Sequence, residues 1–234
     1  MNWNPLSWLE DIVSWILVHW HSLFAIPFGY DSGWSWAFAI VGLVVIIRIA
    51  LIPLFVRQIN SQRNMQMLQP KIKEIQAKYA GDRERQSQEM MALYKETGTN
   101  PLSSCFPILA QAPIFFALFR VLNAAANDTT KGVLTAADVY SLSNATIFGA
   151  KISDAFTRAD SVNVQLLAGF LVLAMTATTF LTQRQLMAKN MPADAMTGPY
   201  ARQQKTLLYV LPVVFAVGGI AFPIGVLLYW TTSN

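Results

Sequence analysis

Cysteine is almost missing from this chain of 234 residues: Cys105 stands alone, so no disulfide forms within it. Histidine is nearly as scarce. His19 and His21 with one Cys give no Cys/His cluster at metal-ligand spacing, and neither a metal nor a cofactor is expected. Charge is sparse as well, at 13% of residues, and no Asp or Glu falls inside the long apolar runs. An intramembrane protease needs a Ser–His dyad or paired Asp residues at membrane depth, and that class fails on residue inventory. What is abundant is apolar surface. With 54% hydrophobic residues and seven Trp, the chain reads as an all-α polytopic membrane protein.

Spans of about 20 apolar residues, the length that crosses a bilayer, occur at Trp34–Val56, Leu102–Leu122, Val164–Leu181 and Thr206–Trp230. The last run contains Gly218-Gly219 and Pro223, where a helix breaks, so it divides into two. The reading is a five-helix transmembrane core: helices over 34–56, 101–123, 164–183 and 206–222, and a fifth beginning at 223. Its stretch to Asn234 rises only about 18 Å against an apolar layer of about 30 Å, so the fifth helix is expected to be truncated.

Twelve of the seventeen Lys and Arg lie in 57–100 and 184–205, which makes both segments cytoplasmic. The N-terminus and the polar segment 124–163 are then outside, and no role is assigned to that external loop. Residues 1–33 read as an external interfacial amphipathic helix. At 100° per residue, Leu6, Leu9, Ile12, Val13, Ile16, Leu17, Trp20, Leu23 and Phe24 share one arc. Ser7, Glu10, Asp11, Ser14, His21 and Ser22 share the other, expected to face water. His19 and His21 are read as interface residues.

Residues 57–100 read as a cytoplasmic helical hairpin. Met65, Leu68, Ile72, Ile75 and Tyr79 step by 3 and 4, and Met90, Leu93, Tyr94 and Thr97 offer a partner stripe across a turn at Gly81. Glu74–Lys78 and Arg85–Glu89 are candidate i,i+4 pairs. A connector this long and periodic binds something more often than it merely connects; the alternative is a solvated loop.

Arg48 is the most informative residue. It is the single charge between Trp34 and Val56, and a guanidinium at membrane depth costs several kcal/mol by most estimates unless it faces water, a partner or an anion. The plain alternative is that it snorkels to the head groups. A small-solute or anion transporter or channel would also use such a residue, but it predicts internal repeats, and the halves show no similarity.

Three stretches, IIRIALIPLFVRQINSQRNMQMLQPKIKEIQAKY from Ile46, NPLSSCFPILAQAPIFFALFRVL from Asn100 and FPIGVLLYWTTSN from Phe222, together resemble the YidC family of membrane protein insertases. The likeness is closest to its short, actinobacterial-looking members, and the family has mitochondrial and chloroplast relatives. It implies a multi-pass protein of the bacterial cytoplasmic membrane with a hydrophilic groove open to cytoplasm and lipid and closed to the outside. By motif position Arg48 is the groove arginine, Gln111 the polar residue of the second helix, and Tyr229 and Trp230 the aromatic pair of the last. Thr176, Thr179 and Gln183 share a face of the third helix and complete the expected lining; for each the alternative is a helix–helix contact. The implied partners are nascent membrane proteins, the lipid bilayer and the ribosome, with the Sec translocon a further candidate. The basic hairpin residues Arg63, Lys71, Lys73, Lys78, Arg83 and Arg85 would meet substrate or ribosome.

Overall fold

A computed structural model of the chain describes residues 4–98, 106–190 and 199–234, with side chains for all of these except 62, 63, 65, 66, 106–110, 186–190, 199–205 and 207. It is mostly helical. The order is α1 (Ser7–Phe28), α2 (Gly33–Met67), α3 (Gln69–Lys78), α4 (Arg83–Glu96), α5 (Phe106–Ala126), α6 (Ala136–Asn144), strands β1 (Thr146–Ile147) and β2 (Ala150–Lys151), a 3-10 turn (Phe156–Arg158), α7 (Val162–Asn190), α8 (Pro199–Gly219) and α9 (Ile224–Ser233). Among the described residues three helical stretches are long and apolar enough to cross a membrane: Ser7–Phe28, Gly33–Ser61 and Val162–Gln185. Gln111–Ala126 and Leu208–Gly219 are shorter apolar helices.

α1 and α2 fold back on each other through a turn at Gly29, whose φ of +93° suits glycine. Trp20 of α1 packs flat on Gly42 of α2, so close that a Cβ there would stand 2.6 Å from the indole. Leu17 joins Ile40, Leu43, Leu118 and Val121 in the main core, into which α9 inserts Val226 and Tyr229. A second core holds α7 against α9 through Ala168, Met175, Ile224 and Leu227.

The apolar run ends at Val56 as expected, but the helix does not: α2 continues through polar residues to Met67, with Pro53 inside it. The first arm of the hairpin is correspondingly the short α3, opened by Pro70 in its first turn. Leu68, Ile72 and Leu93 are buried at the α3–α4 seam, with Ile75, Met90 and Tyr94 against them; the Met65 side chain lies outside the described residues. The i,i+4 ion pairs expected at Glu74–Lys78 and Arg85–Glu89 are not formed among the described residues. Lys78 and Arg85 lie 5.3 and 5.6 Å from the Tyr79 ring centroid, and the Tyr79 hydroxyl donates to Glu89. At exposed positions a cation over an aromatic face competes evenly with a solvated ion pair.

Half of the α1 arc expected to face water is buried: Ser7, Asp11 and Ser22 are exposed as expected, but three residues are not, and these correct the reading of the helix. Glu10, Ser14 and His21 are buried, whereas Trp8, Ile12, Trp15 and Leu23 are exposed. The polar residues have partners far away in sequence. Ser14 accepts from Val133 N–H, and Glu10 lies 3.1 Å from Arg120 and 3.4 Å from Lys131. His21 is no interface residue: it stacks on Trp36 at 3.7 Å and bonds the Tyr30 carbonyl.

Residues 127–161 form a folded cap on the bundle rather than a plain loop. Thr135 and Asp138 make a reciprocal capping box at the start of α6. Phe148 and Gly149, at φ of +51° and +78°, turn β1 into β2. Leu134, Val139, Leu142, Ile147 and Ile152 bury against the bundle. The Tyr30 hydroxyl donates to Asp138 at 2.6 Å. Burial first, then that bond to a carboxylate, pushes the Tyr30 phenol up to about 12. Burial pushes the Asp138 carboxyl up, but the donors on Thr135 and Tyr30 outweigh it and hold the group below the usual range.

Candidate functional site

The polar residues expected at membrane depth converge on one and a half turns of α9. Tyr229 and Ser233, four residues apart, share one face of that helix, and Trp230 and Asn234 share the next. Arg48 leaves α2 at the rim of the core: Val44 and Ile47 beside it are buried, while Val45, Ile49 and Arg48 itself are exposed. Its Nη2 donates to Ser233 Oγ at 3.1 Å. Its guanidinium also lies 5.5 Å from the ring centroid of Phe55, two turns along the same helix face. Gln111 of α5 donates through Nε2 to the hydroxyl of Tyr229, which is 2% exposed. The amide of Asn234 donates to Thr179 Oγ1 at 2.8 Å and Thr178 Oγ1 at 3.0 Å, and Thr182 donates back to the Asn234 carbonyl at 3.3 Å.

Four of the seven residues read from the sequence are thus tied to α9 or lie on it at a polar contact: Arg48, Gln111, Thr179 and Tyr229. The other three stand apart. The Thr176 hydroxyl returns to the Val172 carbonyl of its own helix at 2.7 Å, the ordinary fate of a threonine inside a helix. Gln183 is half-buried one turn beyond Thr179. Trp230 packs with Phe215, Phe115 and Phe222 at 4.5, 5.0 and 6.4 Å between centroids, an aromatic wall rather than a polar lining.

Sequence reasoning missed Ser233 and Asn234, short polar residues at the chain's end, although each stands four residues beyond an aromatic it had singled out. It also missed Arg120, a lone charge in the apolar α5 that the logic applied to Arg48 would have flagged. The two arginines differ in what they face. Arg120 has the carboxylate of Glu10 at 3.1 Å; among the described residues no carboxylate pairs with Arg48, whose hydrogen-bond partner is a neutral hydroxyl. Among the described residues, then, the charge of Arg48 has no acid to compensate it. Of the hairpin's basic residues, Lys71, Lys78, Arg83 and Arg85 are exposed and Lys73 is half-buried; the Arg63 side chain lies outside the described residues.

The family model of the 60Kd inner membrane protein matches residues 28–234. The chain is 52% identical over 237 residues to the membrane protein insertase YidC of Streptomyces avermitilis, covering 97% of this chain and 55% of that relative. It is 40% identical over 247 residues to the membrane protein insertase YidC of Tropheryma whipplei strain Twist, covering 98% of this chain and 79% of the relative. A solved structure described as "Active YidC insertase crystal structure with the first transmembrane domain resolved" matches with a TM-score of 0.56 at 28% identity, over 97% of this chain and 44% of that one. The chain thus spans about half the length of the Streptomyces relative and of that solved structure. On the residues matched by the family model and the likeness to these relatives, the chain belongs to the 60Kd inner membrane protein family, the family of the YidC membrane protein insertases.

Proposed function

We propose that this chain inserts nascent membrane proteins into the bilayer through a hydrophilic groove centred on Arg48. A substrate with a short acidic external tail must carry charge and unpaired backbone through hydrocarbon, where both are heavily penalised. A wet groove part-way across shortens the dry path. The observation that carries the reading is a cation with no acid paired to it among the described residues: Arg48 donates to Ser233, so its charge is available to an incoming acid. Gln111, Thr179 and Tyr229 line the polar side, with Thr176 and Gln183 further along α7, and Trp230 belongs to the apolar wall past which the substrate's hydrophobic segment slides into lipid.

In this reading five helices, α2, α5, α7, α8 and α9, form the transmembrane core, α1 lies at the outer interface, and the N-terminus is outside a bacterial cytoplasmic membrane. The α3–α4 hairpin receives substrate or the ribosome through Arg63, Lys71, Lys73, Lys78, Arg83 and Arg85, and the Sec translocon is a further partner. Basic residues on the cytoplasmic side support that orientation, and exposed cations suit contact with RNA.

The test separates charge from size at position 48. Arg48→Lys keeps the charge and should retain substantial insertion in liposomes; Arg48→Met, apolar and of similar length, should lose it, most for substrates whose tails carry Asp or Glu. Normal insertion of acidic-tailed and neutral-tailed substrates alike by the Met variant would refute the role.

A further inference from the structure

We infer that the cap positions the candidate groove: residues 152–155 supply the first hydrogen bonds of α9 and so set the depth and rotation of the helix that carries Tyr229 and Ser233. The functional half of this inference rests on the insertase reading of those side chains; the positional half stands on geometry.

A helix begins with backbone N–H groups that have no partner inside it. In α9 the residue at the cap position is Pro223, which offers no side-chain oxygen to them. The donors go to the cap instead. Ile224 N–H donates to the Asp154 carbonyl at 2.9 Å and Gly225 N–H to the Ile152 carbonyl at 3.0 Å. Pro223 pairs with Ala155 as an isolated bridge, and Thr157 N–H donates to the Ile220 carbonyl at 3.2 Å just before the helix. The segment doing this is itself anchored, since Ile152 N–H donates to the Ala145 carbonyl at the end of α6. A buried N–H without a partner is strongly disfavoured, which makes the register of this junction firm.

Side chains tighten the same junction. A Cβ at Gly225 would meet Ile152 Cγ2 at 3.0 Å, Leu122 Cδ1 at 3.1 Å and Ile40 Cδ1 at 3.3 Å. The cap, α5 and α2 therefore converge on the first turn of α9. From Gly225 to Ser233 a helix rises about 12 Å, and at the far end Ser233 meets Arg48 and Tyr229 meets Gln111. A displacement at the first turn is carried along this short rigid element to both contacts. Gly225 and Ile152 are thus positioning residues, acting through α9 without touching the groove.

The experiment places a reporter at the far end. In a protein carrying Cys105→Ser and Ser233→Cys, the rate at which the single introduced thiol reacts with a water-soluble maleimide is measured in membranes without substrate. Gly225→Val should change that rate by roughly three- to tenfold, the shift in opening equilibrium expected from losing one interhelical hydrogen bond. Adding Ile152→Ala, which frees the space the valine needs, should bring it back to within about twofold. Where Gly225→Val fails to accumulate, Gly225→Ala is read the same way. A brace that only stabilises the bundle would lower the unfolding midpoint and leave the thiol's reactivity unchanged, and that result overturns the inference, as does a change that Ile152→Ala fails to reverse. With Ser233 restored, insertion of an acidic-tailed substrate should fall and recover in parallel. Altered labelling with unaltered insertion would uphold the positioning and count against the insertase reading.

Discussion

Removing either partner of the Glu10–Arg120 pair should have unequal consequences, because the two charges are unequally buried. Glu10 is 3% exposed on α1, while the Arg120 side chain is 41% exposed on α5. Breaking a fully buried pair costs about 3–5 kcal/mol because an uncompensated ion stays behind, whereas an exposed pair contributes about 0.2–1 kcal/mol. In Arg120→Met the ion left behind is the buried carboxylate, held among the described residues by Lys131 at 3.4 Å and Asn4 at 3.1 Å. In Glu10→Gln it is an arginine that is 41% exposed and keeps its hydrogen bond to Asn4 at 2.9 Å. The approach of Arg120 Nε to Glu10 Oε1 is also close without being aligned as a hydrogen bond, so the attraction is mainly that of charge. Discounting for the exposure of Arg120, we expect about 2–3 kcal/mol for Arg120→Met and about 1 kcal/mol for Glu10→Gln. The double variant should be less unstable than the sum by about 1 kcal/mol. Equilibrium unfolding in mixed micelles, followed by circular dichroism, reads all three. If Glu10→Gln costs as much as Arg120→Met, the buried-anion reasoning is wrong.

Cysteines at Ser87 of α4 and at Asn144 of the cap, both exposed, should label from opposite faces of the membrane in a Cys105→Ser background; equal labelling from outside would overturn the proposed orientation. Deleting Lys71 to Lys95 behind a short Gly-Ser bridge should leave the bundle folded and impair insertion, since the hairpin has its own small core; loss of the bundle would make the hairpin a structural brace. The Tyr30 phenol, raised to about 12 in the folded chain, stabilises the cap fully below pH 10 and should lose that contribution as pH rises from 10 through 12. Comparing the pH dependence of unfolding with that of Tyr30→Phe isolates this loss, and an identical high-pH slope in the variant would refute it. Asp138, depressed in the fold, contributes in the opposite window, with stability lost as pH falls below its ordinary value near 3.8.

The parts legible in the sequence were those set by short-range pattern. Long apolar runs give helices whatever they pack against, Pro223 cannot continue a helix, and the stripe through Leu68, Ile72 and Leu93 needs only periodicity to be seen. Arg48 was legible because hydrocarbon leaves few explanations for a lone charge. What escaped was set by distant partners. Glu10 and Ser14 of α1 looked solvent-facing because their partners Arg120, Lys131 and Val133 come from more than a hundred residues away. The cap escaped because its polar composition reads as loop, although Thr135-x-x-Asp138 ahead of Val139 and Leu142 was a start signal in plain view.

α2 runs through 35 residues, a single beam about 52 Å long that outreaches an apolar layer of about 30 Å. One end carries the α3–α4 hairpin and the middle carries Arg48. A force applied at the hairpin would act at the end of a lever arm and be felt as torque at the guanidinium. Pro53, between the two, removes a backbone hydrogen bond and is the place where such a beam bends first. The hairpin end and the charged centre are mechanically in series, and the stiffness of those few residues fixes how much of a push at one is delivered to the other.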